Sequence, residues 1–347
     1  MAGRWKTRPD GANWGDFGPD DELGRLNLLT PERVRRAVAE VREGLTFCLS
    51  LPLDYPGGNI LNPRRHPPRR FATVRDGKAN YNFPLSREMP EFTDVICDDA
   101  VLIHTQYSTQ WDSLAHVGAE FDADGDGKAE VVYYNGWRGG EDVLGPPEGA
   151  PEGHDCGAFE GVEARRLGID RMAAKAVQGR GVLVDLRRHL GDERTLVGHD
   201  QLMRIMEADG VEVEEGDMLC LHTGFADVLL GMGRKPDGER LHKACAALDG
   251  RDPALLRWID DSGIACLIAD NYAVEAYPAT PGTGRHASLP LHELCLFKLG
   301  IHLGELWYLS ELAAHLRGAG RSRFLLTAPP LRLPGAVGSP ATPVATV

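Results

Sequence analysis

The clearest pattern in the chain lies in its second half, where short apolar runs alternate with amphipathic stretches. Gly181–Leu186, Asp217–His222 and Ile264–Ala269 are nearly continuous in apolar residues. They read as strands buried on both faces. Residues 160–178, 201–209, 255–262 and 292–298 carry helix-like spacing between them, and 303–309 closes the series. Strands alternating with helices predict an α/β architecture around one sheet system. Upstream, Thr30 followed by Pro31 predicts a capped helix start, and Leu45–Leu53 reads as a strand. Two stretches near 54–90 and 137–158 are rich in Pro, Gly and charge. They are expected to be irregular loop insertions in a single domain spanning 1–347.

One polar segment interrupts this texture. The run Asp99–His104 reads as a buried strand, and after it comes Thr109-Gln110-Trp111-Asp112-Ser113-Leu114-Ala115-His116. Gln110 and Asp112 are two apart, so an extended backbone points both to one side. His116 lies four residues past Asp112. An amide, a carboxylate and an imidazole in a core-like segment need partners. A divalent cation is one, and a hydrogen-bonded cluster capping a helix is the other. His292 opens a helix-like stretch, and Glu305 stands inside an apolar run where burial without a partner is costly. Asp270, Asn271 and Glu275 follow a strand end.

Composition narrows the function classes. The 347 residues are 42% hydrophobic, ample for a core, and no apolar run approaches a membrane span. No signal peptide is visible at Met1–Lys6, so a soluble cytoplasmic protein is expected. The net charge of −13, from 38 basic and 51 acidic residues, argues against nucleic acid or an anionic membrane as partner. The one basic cluster, Arg64, Arg65, His66, Arg69 and Arg70, is interleaved with prolines. It reads as an exposed loop or a clamp for an anionic substrate. The seven cysteines, Cys156 among them, form no CxxC pair and are expected to be reduced thiols. Asp122–Gly127 imitates a calcium loop but has Tyr133 where the twelfth-position Glu belongs, so it reads as an acidic turn. Gly282–Ala287 fits a dinucleotide loop loosely, without the strand that should precede it. Neither a Walker A sequence nor a GxSxG elbow occurs.

The segment Gln106–His116 resembles the H-x-G-T-H-x-D-x-P-x-H motif of the cyclase family that includes bacterial kynurenine formamidase and isatin hydrolase. Thr109, Asp112 and His116 match. Gln106 and Gln110 replace two histidines, Ser108 a glycine and Leu114 a proline. The chain looks closer to a branch carrying T-Q-W-D-x-L-A-H. Likeness extends through Trp14-Gly15, Asp21–Gly24, Asn27, Tyr134–Gly136, Gly179–Leu183, Thr223-Gly224 and 328–340. The resemblance implies a swivelling β/β/α fold and hydrolysis of an amide, imide or lactone at a divalent metal. It makes Asp112, His292 and Glu305 metal ligands, places Gln110 as a ligand through its side-chain oxygen, and makes His116 the general acid/base. Gln106, Thr109 and Trp111 become expected substrate contacts, with the loop around 56–70 shaping the pocket. A homo-oligomer and a small-molecule substrate are implied too. The two glutamines shift the expectation to one ion, with Mn²⁺ favoured over Zn²⁺, because amide oxygens are weak, neutral ligands. Two alternatives stay open: a kynurenine formamidase of tryptophan catabolism, and a non-catalytic binding protein on the same fold.

Overall fold

The computed structural model describes residues 4–149, 152–153 and 158–347. Nine strands form its main sheet: β1 (Thr46–Cys48), β2 (Gln110–Asp112), β3 (Gln178–Asp185), β4 (Met218–His222), β5 (Cys266–Ala269), β6 (His302–Glu305), β7 (Arg323–Thr327), β8 (Gly338–Pro340) and β9 (Val344–Thr346). Their spatial order is β1-β9-β7-β3-β4-β5-β6-β2-β8. The four central strands β3 to β6 run parallel, and antiparallel strands extend the sheet on both sides.

The apolar runs form this centre because both faces are covered. Val182, Val184, Leu219, Leu221, Leu267 and Ala269 enter one core, with Leu202 and Ile205 of helix His199–Asp209 and Leu255 and Ile259 of helix Pro253–Asp261. The alternate residues Leu183, Met218, Cys220, Cys266 and Ile268 enter a second core, under Ile169, Met172, Leu312 and Leu316. This is the period of two expected of strands with helices on both sides. Capping is local: the Thr30 hydroxyl accepts the Arg33 amide at 3.4 Å and Pro31 takes the first helical position. Asp252 accepts Ala254 N at 2.8 Å to start the helix at Pro253.

Three expectations need correction. Asp99–Leu102 is a strand, but all four residues are exposed. It pairs with Arg69–Ala72 in a two-stranded ribbon that has no second layer to bury Val101 or Leu102. The stretch 54–90 is correspondingly less irregular than its composition suggests, since it contributes strands to three such ribbons. The helix expected over 160–178 is confined to Ile169–Lys175. Glu163–Ala164 pairs instead with Val143–Leu144, and Glu22 captures Arg166 and Arg171 at 2.9 Å and the Leu167 amide at 2.9 Å. Those tertiary bonds outweigh weak helical spacing interrupted by Gly161 and Gly168.

No helix among the described residues is long and apolar enough to cross a membrane. Six cysteines are free thiols, four of them buried; Cys156 lies outside the described residues, as does part of the 137–158 stretch.

Candidate metal centre

The site forms where β2 pairs with the carboxyl end of β6. The register sets Gln110 opposite Glu305 and Asp112 opposite Leu303. Strand alternation turns Gln110 and Asp112 to the same side, where Gln110 Nε2 donates to Glu305 Oε2 at 2.9 Å and to Asp112 Oδ1 at 3.4 Å. Trp111 must then point the other way. Its ring stacks edge-on against Trp307 at 5.1 Å in the second core, and its Nε1 donates to Ala328 O at 2.8 Å. Trp111 therefore does not line the pocket, contrary to the expectation for it. Thr109 is also turned into structure: its hydroxyl donates to Leu306 O at 2.5 Å and accepts the Leu51 amide at 2.8 Å. Both of its hydrogen-bonding directions are used, and Thr109, fully buried, does not line the cavity.

His292 comes to the same place from a one-turn helix, Pro290–His292, that runs into a π-helical turn, Glu293–Lys298. Such turns recur at functional sites. Its Nε2 lies 3.2 Å from Glu305 Oε1, and its Nδ1 lies 2.8 Å from Glu275 Oε1. Glu275 also accepts the backbone amides of Leu291 and His292 at 3.1 and 3.0 Å. A strained turn delivers this carboxylate. Val274 sits at φ 58°, where a β-branched residue is an outlier. Asn271 holds it there, accepting Val274 N at 2.7 Å and donating to Ala246 O at 3.2 Å. Gly250 leaves room beside it, since a Cβ there would collide with Glu275 Oε2. Asp270, which also follows β5, ties loops together instead, accepting the amides of Thr223 and Gly224 at 2.8 Å.

The electrostatics are those of a crowded acidic site. Burial, then the neighbouring Asp112, pushes the Glu305 carboxyl up to about 7, against the opposing pull of His292. Burial alone would lower His292, but its bonds to Glu275 and Glu305 outweigh that and raise it to about 10. Ligand atoms of Asp112, His292 and Glu305 all lie within 4.8 Å of one another. Two further buried atoms have no partner, Asp112 Oδ2 and Gln110 Oε1. An orphaned carboxylate oxygen in a dry site is costly, and a cation removes the cost. Two carboxylates and an imidazole suit Mn²⁺ or Zn²⁺. The residues present thus fit a divalent ion. Gln110 turns its NH₂ group to the carboxylates, whereas ligation would require its oxygen there.

His116 stands beside this cluster, its Nε2 3.9 Å from Asp112 Oδ1. Gln106 Nε2 lies 2.9 Å from His116 Nδ1, and the Thr105 hydroxyl donates to Gln106 Oε1 at 3.0 Å. A hydroxyl can donate or accept, so Thr105 supports either orientation of the Gln106 amide, and Gln106 holds the ring at Nδ1 with Nε2 toward the site. Burial lowers the His116 pKa, opposed by Asp112 and reinforced by His292 and Arg65. Burial thus favours the uncharged ring. Gly338 makes the arrangement possible, because a Cβ at that position would fall 2.7 Å from Gln106 Cγ.

A cavity of about 360 Å³ opens onto His116, His292 and Glu305. One wall comes from 56–65 and includes Arg64 and Arg65; another carries Tyr272, Tyr277 and Leu289. Sequence reasoning noted Glu275 only as following a strand, and it missed both tyrosines. The available signal for Glu275 was its place just past a buried parallel strand.

The remaining motifs lie elsewhere. Asp122 accepts the amides of Gly125 and Gly127 at 2.7 and 2.8 Å in an acidic turn. Gly282–Ala287 is loop, with no strand entering it.

The family model described as Putative cyclase matches residues 50–276. No curated protein matches the sequence. Among solved structures, that of a novel cyclase superposes with a TM-score of 0.72 at 28% identity, over 97% of this chain and 97% of that one. Isatin hydrolase A from Labrenzia aggregata, bound to benzyl benzoate, gives 0.54 at 15% identity, over 90% of this chain and 95% of that one. Isatin hydrolase A from Ralstonia solanacearum gives 0.54 at 14%, over 91% and 98%. These last two share the swivelling β/β/α fold with the chain.

Proposed function

The chain belongs to the cyclase family, and from that premise we propose that it is a metal-dependent hydrolase of a small molecule, cleaving a C–N bond of an amide or imide, or a lactone. The observation that carries the proposal is the partnerless Asp112 Oδ2, buried within a group of ligand atoms from Asp112, His292 and Glu305. Those three residues would hold one ion, Mn²⁺ or Zn²⁺. When bound, such an ion supplies an activated water, made acidic enough to lose a proton near neutral pH, and polarises a carbonyl. Glu275 orients His292 from behind, as carboxylates commonly do for metal-binding imidazoles.

Hydrolysis adds water across the scissile bond, so a proton must reach the leaving nitrogen or oxygen. His116 is placed to carry it. A ring that burial keeps uncharged can take a proton from the attacking water at Nε2, which faces Asp112, and pass it to the leaving atom, while Gln106 holds the ring at Nδ1. Gln106 is on this reading a positioning residue for the acid/base as well as part of the cavity wall. The cavity volume suits a compact substrate, at the lower end of the range for ligand pockets.

One observation favours a second reading, a binding protein without metal chemistry. The Gln110 amide already spans Glu305 and Asp112, supplying donors where a cation would supply charge. Elemental analysis of the purified protein by mass spectrometry, joined to a hydrolysis panel of amides, imides and lactones with added Mn²⁺ or Zn²⁺, separates the two. Near-stoichiometric metal with turnover is expected. A protein that takes up neither ion and hydrolyses nothing is the binding protein.

A further inference from the structure

Only two lysines or arginines line the cavity among the described residues, Arg64 and Arg65. Arg64 is exposed at the rim and its Nη1 approaches Asn62 Oδ1 at 3.4 Å. Arg65 is half-buried, and its setting is built. Its backbone amide donates to Asn62 O at 3.0 Å, and the next amide, His66 N, lies 3.2 Å from His104 Nδ1. Pro63, Pro67 and Pro68 stiffen the segment on both sides. The guanidinium donates through Nη1 to Gln106 O at 2.7 Å. No carboxylate among the described residues pairs with it, in a chain that carries 51 acidic residues.

We infer that Arg65 is the anion-recognising residue of the cavity, and that the substrate is a small aryl or cyclic acid whose own carboxylate meets this guanidinium beside the scissile bond. The inference rests on the hydrolase reading for the word substrate, but not for the anion site itself. Three features support it. First, a guanidinium with one nitrogen anchored keeps a second edge for bidentate contact with a carboxylate. Second, Gln106 joins the two ends of the site, holding Arg65 on its carbonyl and His116 on its side-chain amide. The anion therefore binds on the same wall as the proton-transfer residue, close to the reacting group. Third, a substrate anion entering this cavity shares it with Glu305, and a cation in the lining offsets the repulsion. Leu61, Leu289, Leu306, Tyr272 and Tyr277 supply the apolar surface for the ring.

The test uses two probes with the same scissile amide, 2-formamidobenzoate and formanilide, on the full chain loaded with Mn²⁺. The kcat/KM ratio of acid to neutral probe is expected to be about 30 or more in the natural protein, the scale of a charge-assisted hydrogen-bond pair. Arg65→Gln should bring it below about 3 and Arg65→Lys to an intermediate value. Arg70→Gln, an equal charge change on the exposed ribbon outside the cavity, should leave it in place. A ratio near one in the natural protein, or one unchanged by Arg65→Gln, overturns the inference. If neither probe is hydrolysed, the hydrolase reading loses support, and the same ratio taken from dissociation constants by calorimetry decides the anion site alone. Equal affinity for both probes, or no binding of either at millimolar concentration, overturns it.

Discussion

His292 Nδ1 and Glu275 Oε1 stand 2.8 Å apart, both buried, and the carboxylate also accepts the backbone amides of Leu291 and His292. This pairing directs Nε2 of the same ring toward Glu305. Replacing Glu275 by Gln preserves volume but removes the charge behind the imidazole. Affinity for Mn²⁺ or Zn²⁺, measured by calorimetry, should fall by about 10–100-fold with the fold intact by circular dichroism. Undiminished affinity would remove His292 from the ligand set.

Asp112 and His116 should separate binding from turnover. Asp112→Ala removes the buried carboxylate whose Oδ2 has no partner, and should lose metal and activity together. His116→Ala leaves Asp112, His292 and Glu305 in place. Metal content should persist while turnover drops by about 10²–10⁴. Full turnover in that variant would show that the proton travels another way.

Gln110 is the residue whose replacement should expose the charge balance of the site. Its Nε2 donates to Glu305 and Asp112, so Gln110→Glu exchanges two donated bonds for a third carboxylate. The metal-free protein should lose several degrees of Tm, since like charges crowd in a dry site. Mn²⁺ should restore more stability to this variant than to the natural protein. Equal shifts on adding metal would mean that Gln110 stands apart from the ion.

A second buried cluster gives a pH-dependent stability rather than a reaction. His222 Nδ1 lies 2.8 Å from Asp185 Oδ1, and its Nε2 lies 3.1 Å from the Ser310 hydroxyl, tying β3 and β4 to the helix Ser310–Gly318. Burial lowers the His222 pKa, but Asp185 and Asp270 outweigh it and raise it above its ordinary 6.5. Asp185 is held below its ordinary 3.8 despite burial, chiefly by His222. A raised imidazole contributes stability that is complete below about pH 6.5 and fades as pH rises through the folded value. The lowered carboxylate contributes above about pH 3.8 and fades on acidification below it. His222→Gln should therefore lose most relative to the natural protein between about pH 4 and 6.5, with the gap narrowing toward alkaline pH in denaturant titrations. A constant gap would show that His222 is neutral in the fold. Ser310→Ala should cost about 1 kcal/mol, the net worth of one hydrogen bond.

Much of this was legible in the chain. The apolar runs at 181–186, 217–222 and 264–269 mark the central parallel strands because burial on both faces demands uninterrupted apolar residues. The two-residue spacing of Gln110 and Asp112 places them on one side, and the same rule, applied to Trp111, would have turned it away from the pocket. Asp99–Leu102 and residues 160–168 misled for one reason: local patterning says which backbone a segment prefers, not whether a second layer arrives to cover it.

The sequence by itself determined the alternation of strands and helices, the capped start at Thr30, and the proximity of Gln110, Asp112 and His116. These depend on spacing along one backbone, which a few residues settle. Only the tertiary structure decided that Glu275 lies behind His292, that Gln106 holds His116 at Nδ1, and that Arg65 reaches the cavity without an acidic partner among the described residues. Each of those contacts joins segments brought together by sheet register and loop packing. Their geometry depends on the cost of leaving a buried polar group unpaired, which is settled across the fold and not along the chain.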